Sequence, residues 1–170
     1  MTGLAIGVLL CAVALRADDR SITFDKSVEF STFKTFAVHD VRVTSSRPEL
    51  SNALFATEVG EAIRRALTTK GLTETADRPD LVVDSSVTGV DYSIGSAGRA
   101  NPLPPGRPAP SFAPVSFTEG TLVIDLTASQ SRKLVWHGVY RRPRDSAAKL
   151  AQKLPDAAKK LLSEYPPKKK

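Results

Sequence analysis

The sequence has 170 residues, of which 41% are hydrophobic and 25% charged, a balance typical of a folded globular protein rather than a disordered one. Its one cysteine excludes an intramolecular disulfide, so a domain of this chain must depend on its own hydrophobic core. The formal net charge is +6, and residues 140–170 carry ten Lys or Arg against three Asp or Glu. This asymmetry predicts a basic C-terminal surface that meets an anionic partner.

The N-terminal segment contains an apolar run at residues 4–15, followed by small residues and two aspartates. This run is too short to cross a bilayer as a helix, which takes about 20 residues. It predicts a signal peptide at residues 1–17, cleaved after Ala14 or after Ala17. No Lys or Arg precedes the apolar run, as one would in most signal peptides, so a buried N-terminal strand or helix is the alternative.

Cys11 lies within this run, where a lipoprotein leader would carry its lipid-modified cysteine. Lipoprotein processing requires a small residue directly before the cysteine, and Leu10 occupies that place. We therefore expect no lipid anchor at Cys11. We expect an exported protein, periplasmic or envelope-associated, whose mature chain has no transmembrane helix.

The first half of the remaining chain predicts two strands and a helix. Residues 22–24 and 33–38 are short β-prone runs. Ser46 and Glu49 have the spacing of a capping box and predict the start of the helix. Gly71 stands where a left-handed C-cap belongs. The apolar side of this helix combines six residues: Phe55, Val59, Ala62, Ile63, Ala66 and Leu67.

Three further strands are predicted at residues 81–92, 121–127 and 134–140. The segment 95–114 is rich in proline and glycine, and it is predicted to be a loop that joins two strands. Within the last strand, Gly138 predicts a bulge or a close approach to the backbone.

A second amphipathic helix is predicted at about residues 146–165, where Pro155 should kink or split it. The predicted order is β-β-α-β-β-β-α. This order indicates an α+β fold, with a mostly antiparallel or mixed five-stranded sheet and both helices packed on one face. We expect a single domain at residues 18–167, followed by a basic tail at 168–170.

The most recognisable segments of the chain are Thr121–Leu126, Lys133–Trp136 and Gly138. These segments resemble the bacterial domain-of-unknown-function family 4136. Weaker matches occur in the same order along the chain: Phe24–Asp25, Phe30–Ala37, Lys70–Leu72, Pro79–Val83 and Tyr165–Pro167. The resemblance implies an exported or envelope-associated protein, often a lipoprotein, and implies no known activity.

No group of residues in the sequence indicates catalysis, a cofactor or a metal. His39 and His137, the only histidines, lack the spacing of zinc ligands. Asp84 and Asp125 lie in separate predicted strands and have the residue type for an acid–base pair, but strand alternation simply places both toward solvent. The serines lack a nucleophile elbow, and no glycine-rich phosphate loop occurs. We therefore expect that the protein is not an enzyme.

The leading hypothesis is a non-enzymatic envelope protein. It would bind an envelope protein or an anionic envelope surface through a sheet edge or its basic end. The predicted contacts are Arg141, Arg142, Arg144, Lys168, Lys169 and Lys170. The alternative is a small-molecule or glycan-binding domain, with a cleft under the proline-rich loop that holds Tyr92 and Trp136. A hydrolase is the third hypothesis. With 6% aromatic residues, the chain lacks a stacking platform for nucleic acid.

Overall fold

The structure, a computed structural model, describes residues 19–94 and 115–167. Seven strands and two helices follow one another in these residues, so the predicted α+β class is confirmed. In chain order they are β1 (Asp19–Phe24), β2 (Thr35–Val38), β3 (Arg42–Ser45), α1 (Ala53–Thr69), β4 (Thr73–Glu74), β5 (Leu81–Ile94), β6 (Val115–Ala128), β7 (Lys133–Asp145) and α2 (Ala147–Leu162).

The predicted count of five strands is wrong, because β3 and β4 were not predicted. β4 has two residues and β3 has four, of which only Val43 is apolar. Strands this short and polar carry no alternating signal. β3 forms because β5 offers an edge along which β2 and β3 lie end to end, and β4 forms by pairing with the other side of β2.

All strands join in one mixed sheet with the order β1-β7-β6-β5-β2-β4, and β3 also pairs with β5. The pairs β1–β7, β7–β6 and β6–β5 are antiparallel, whereas β2 and β3 run parallel to β5. β5 and β6 keep one unbroken register from Leu81 opposite Ala128 to Ile94 opposite Val115. Strands β5, β6 and β7 are longer than predicted.

Both helices pack on one face of the sheet, as predicted. Along β6, the even-numbered residues 118–128 are buried on this side, and the odd-numbered residues 117–127 are partly exposed on the other. We call that other side, which neither described helix covers, the open face. Three leucines of the predicted stripe in α2, Leu150, Leu154 and Leu161, are fully buried. α2 is one continuous element with Pro155 inside it, so the proline does not split the helix.

The start of α1 differs from the prediction. The helix begins at Ala53, and the Oδ1 of Asn52 accepts a hydrogen bond from the Phe55 N–H at 2.8 Å. The predicted capping residue, Ser46, donates its hydroxyl to Asp91 of β5 instead. Gly71 has a φ of +88°, which agrees with the predicted left-handed position after the helix.

The predictions for residues 1–17, 95–114 and 168–170 lie outside the described residues and stay predictions. Neither helix in the described part of the chain has the length and hydropathy that are needed to cross a membrane.

Candidate functional site

The three arginines that were predicted to contact an anionic partner all lie on β7, but they do not form one patch. Arg142 is partly buried, and its Nε donates to the Asp145 carboxylate at 2.6 Å. The Arg144 guanidinium lies 5.8 Å from the centre of the Phe117 ring. Arg141 is exposed on the open face. Consecutive residues of a strand point to opposite sides, so Arg142 lies on the helix side of the sheet and Arg141 on the open face.

The basic side chains that do lie together surround the C-terminal ends of the two helices. A groove of about 350 Å³ runs between α1 and α2, and one of about 370 Å³ lies between α2 and β7. Because Lys159 lines both grooves, their cations form one continuous surface. We call this surface the basic band; its members are Arg65, Lys70, Arg142, Lys153, Lys159 and Lys160.

The pattern of α2 explains why the lysines gather here. Its leucines fill the core side of the helix, so the lysines between them lie on the solvent side. Lys159 and Lys160 also occupy the last turn of α2, where the negative end of the helix dipole stabilises a cation.

Positive charge predominates in the band. Among the described residues that line the two grooves, only Asp156 is acidic. Lys159 donates to its Oδ1 at 2.8 Å, and this hydrogen bond lowers the pKa of the Asp156 carboxyl. Burial alone would raise the pKa of Asp145, which lies behind the band, but hydrogen bonds led by that from Arg142 outweigh burial and lower it. Both carboxylates are therefore ionised at neutral pH.

A cleft of about 690 Å³ adjoins the band at Lys70 and Ser163. Ile22 and Phe24 of β1 form one side, and the segment 163–167 after α2 forms the other. The Lys70 ammonium donates to the Ser163 carbonyl at 2.6 Å, which ties the end of α1 to the end of α2.

Both ends of the described chain lie at this corner of the molecule. Arg20, the second residue of β1, makes an ion pair of 3.5 Å with Glu164. The last described residue, Pro167, lines the cleft. The three lysines at 168–170 directly follow Pro167 in the sequence, so the chain continues into them from the side of the basic band.

Comparison with known protein families adds one decisive match. The model of the family described as "Domain of unknown function (DUF4136)" matches residues 20–167. The chain belongs to the DUF4136 family. The resemblance found in the sequence is thereby confirmed.

Two solved structures resemble this DUF4136 domain. A DUF4136 family protein from Bacteroides thetaiotaomicron is 16% identical with a TM-score of 0.53, over 86% of this chain and 92% of that one. A PDZ domain protein from Parabacteroides distasonis is 18% identical with a TM-score of 0.58, over 89% of this chain. The present chain spans 36% of that longer protein. No curated protein matches the sequence. At these identities the likeness concerns the fold alone.

The DUF4136 domain also brings together four residues that the sequence left separate. The His39 Nδ1 lies 3.1 Å from the Asp84 Oδ1, and the His137 Nδ1 lies 2.6 Å from the Asp125 Oδ1. Asp84 and Asp125 are register partners on β5 and β6. Both histidines of the chain thus stand in one row across the open face, each beside a carboxylate.

This row was missed because the sequence does not fix the strand register. The twenty residues between β5 and β6 leave their alignment undetermined, and a shift at Leu126 and Thr127 changes the pairing of β6 with β7. Within residues 19–94 and 115–167, no group of three or more His, Cys, Asp or Glu is arranged to hold a metal ion. None of the four residues lines a groove or the cleft described above.

The two aromatic residues that were predicted to share a ligand cleft lie on opposite faces of the sheet. Trp136 is 0% exposed in the core, whereas Tyr92 is 44% exposed on the open face. The Tyr92 ring stacks on Phe117 with 5.5 Å between the ring centres. The structure therefore does not bring Tyr92 and Trp136 together.

A further cleft of about 610 Å³ lies where β6 turns into β7, and Asp80 is the carboxylate that lines it. Its Oδ2 accepts hydrogen bonds from the backbone N–H groups of Lys34 at 2.8 Å and Thr35 at 2.9 Å. These bonds, with that from Lys34 the largest cause, lower the pKa of Asp80. The carboxylate holds the start of β2 against the start of β5, so its role is to stabilise the sheet.

Proposed function

We propose that this protein is a non-enzymatic binding module of the bacterial envelope, and that it docks on an anionic membrane surface through the basic band. One observation carries the proposal. The six cations of the band surround the helix ends at the corner where both ends of the described chain also lie. The lysines at 168–170 directly follow Pro167, which lies at this corner.

The chemistry of the band favours a charged surface as its partner. A Lys or Arg close to an anionic bilayer contributes about 1 kcal/mol, and the attraction falls off within a Debye length of about 10 Å at 0.1 M salt. The six cations of the band outnumber the three carboxylates among the described residues that pair with them, those of Glu61, Asp145 and Asp156. The band therefore keeps a net positive charge, which can attract an anionic surface without a shaped pocket. The same argument predicts that salt weakens the binding.

The test is co-sedimentation of the protein with vesicles, using the chain as its expression host processes it. Vesicles of phosphatidylcholine alone are compared with vesicles that also contain phosphatidylglycerol. The band variant is Arg65→Gln with Lys159→Gln. The matched control is Arg42→Gln with Arg141→Gln, which removes two exposed cations from the open face. Any contribution of the leader is common to all the proteins.

We expect binding only to the vesicles that contain phosphatidylglycerol, and the band variant should bind on the order of tenfold more weakly. Raising the salt concentration should weaken the wild type in the same direction. The control variant should bind as the wild type does. Equal binding to both vesicle types, or a larger loss in the control than in the band variant, would refute membrane docking through the band.

A further inference from the structure

The cleft beside the basic band combines apolar walls with a cationic rim. Ile22 and Phe24 present partly buried apolar side chains on one side, and Pro166 and Pro167 line the other. Its volume of about 690 Å³ lies within the range of about 300–1,000 Å³ that is usual for small-molecule sites. A narrow apolar ligand is therefore the kind of molecule that this space accommodates.

Tyr165, which lines the cleft, has an unsatisfied polar group. The residue is 2% exposed, and its hydroxyl is buried with no hydrogen-bond partner among the described residues. The ring is held edge-on against Phe30, with 5.7 Å between the ring centres. Burial raises the pKa of the phenol to about 12, so the group keeps its proton and stays a donor. A ligand oxygen beside it would supply the missing acceptor.

The rim supplies positive charge where the cleft opens onto the band. Lys70 uses one of its three N–H donors on the Ser163 carbonyl. Beyond it, none of the described residues that line the groove of Arg65 and Lys159 is acidic. These two cations pair with Glu61 and Asp156, which lie outside that groove. The one carboxylate of the cleft, Glu164, faces Arg20 at 3.5 Å. An anionic group at the mouth of the cleft would meet cations on the side toward the band.

We propose that the cleft binds the acyl chain of one anionic amphiphile, whose carboxylate or phosphate head lies against Lys70. The chain packs on Ile22, Phe24 and the two prolines, and the head completes the hydrogen bonding of the rim. The proposal rests on the membrane docking proposed above, since an anionic bilayer supplies such a molecule at the same corner of the domain.

The experiment is a nuclear magnetic resonance titration with sodium decanoate, kept below its micelle concentration so that no membrane-like surface forms. We expect saturable shifts that are concentrated at the residues lining the cleft. Lys70→Gln should weaken binding at least fivefold. Tyr165→Phe should weaken it severalfold and leave the fold intact, because the hydroxyl that it removes has no hydrogen-bond partner among residues 19–94 and 115–167. The control Lys149→Gln, an exposed lysine in the first turn of α2, should bind decanoate as the wild type does.

Decanol, an uncharged molecule with the same chain, should bind more weakly than decanoate. A lysophosphatidylglycerol with this chain separates the two natural sources. Tighter binding than decanoate identifies a phospholipid, and weaker binding identifies a free fatty acid. Equal affinity of decanoate for Lys70→Gln and the wild type, or shifts that are spread evenly over the protein, would overturn the proposal. If the protein binds decanoate but not anionic vesicles, only the proposed membrane docking is refuted. If it binds anionic vesicles but not decanoate, only the proposed acyl-chain site is refuted.

Discussion

Trp136 and Gly138 form a close contact in the core. Both lie on the helix side of β7, and the indole of Trp136 covers the position where a side chain at residue 138 would begin. An added Cβ would overlap the ring and would lie 2.8 Å from its Cζ3. The glycine therefore makes room for the largest side chain of the core. The close approach predicted at Gly138 is observed, whereas the register shifts of β6 and β7 lie elsewhere.

We predict that Gly138→Ala lowers the free energy of unfolding by about 1–3 kcal/mol, because the indole or the strand must move to admit the methyl group. Urea unfolding, followed by tryptophan fluorescence, measures the loss. The matched control is Gly60→Ala within α1, where the nearest atom to an added Cβ is the terminal Nη1 of Arg64 at 3.2 Å. Alanine favours a helix, so this control should be neutral or stabilising. A Gly138→Ala protein as stable as the wild type would contradict the packing argument.

The start of α1 shows how a tertiary contact overrides a local signal. Ser46 has capping-box spacing, but its hydroxyl donates a hydrogen bond to Asp91 instead of capping the helix. Asp91 also accepts hydrogen bonds from Arg47 and from Thr118 of β6. The chain makes a turn before the helix, and Asn52 becomes the cap. Nothing within the helix sequence reveals this competition, because Asp91 lies on β5.

We predict that Asn52→Ala lowers the free energy of unfolding by about 1 kcal/mol, which is usual for the loss of an N-cap. Ser46→Ala should cost less, because it removes only one exposed hydrogen bond to Asp91. Thermal unfolding of the two variants makes the comparison. A larger loss of unfolding free energy for Ser46→Ala than for Asn52→Ala would show that Ser46, and not Asn52, caps the helix.

The elements differ in how far the sequence predicts them. Helix α2 and the long strands repeat an apolar residue at a fixed period over many residues. The sequence alone therefore predicts which of them is a helix and which are strands. β4 and the register of β5 with β6 depend on neighbours that are distant in sequence. The same holds for the candidate site: the excess of cations after residue 140 was predictable, but Arg65 and Lys70 enter the basic band only because α1 packs against α2.

At the scale of the whole molecule, several aspartates hold separate elements together in their ionised form. The carboxyls of Asp80, Asp91 and Asp145 each have a pKa below the ordinary value of 3.8. A group whose pKa is depressed on folding adds stability above its unfolded pKa, and this stability is lost as the pH falls through the folded value. The domain should therefore be stable at neutral pH and weaken in acid.

We predict that the free energy of unfolding begins to fall as the pH approaches 3.8 and continues to fall below it. Asp80→Asn should cost about 1 kcal/mol at pH 7, because a neutral amide accepts the two backbone N–H groups less strongly. It should then lose less than the wild type on acidification. The control Asp77→Asn, at a carboxyl that is 88% exposed, should follow the wild-type curve. Urea unfolding midpoints at several pH values measure these differences. Parallel stability curves for Asp80→Asn and the wild type would contradict the stabilising role of the ionised Asp80 carboxylate.

The unbroken pairing of β5 with β6 has a consequence for how such domains diversify. Ile94 and Val115 are neighbours on adjacent strands, so the sheet itself fixes the two points between which residues 95–114 are inserted. The entropic cost of closing a connection between two fixed anchors grows only with the logarithm of its length, so each added residue changes this cost little. This position can therefore accept insertions and deletions freely, and it is a natural place to graft foreign peptides onto the scaffold.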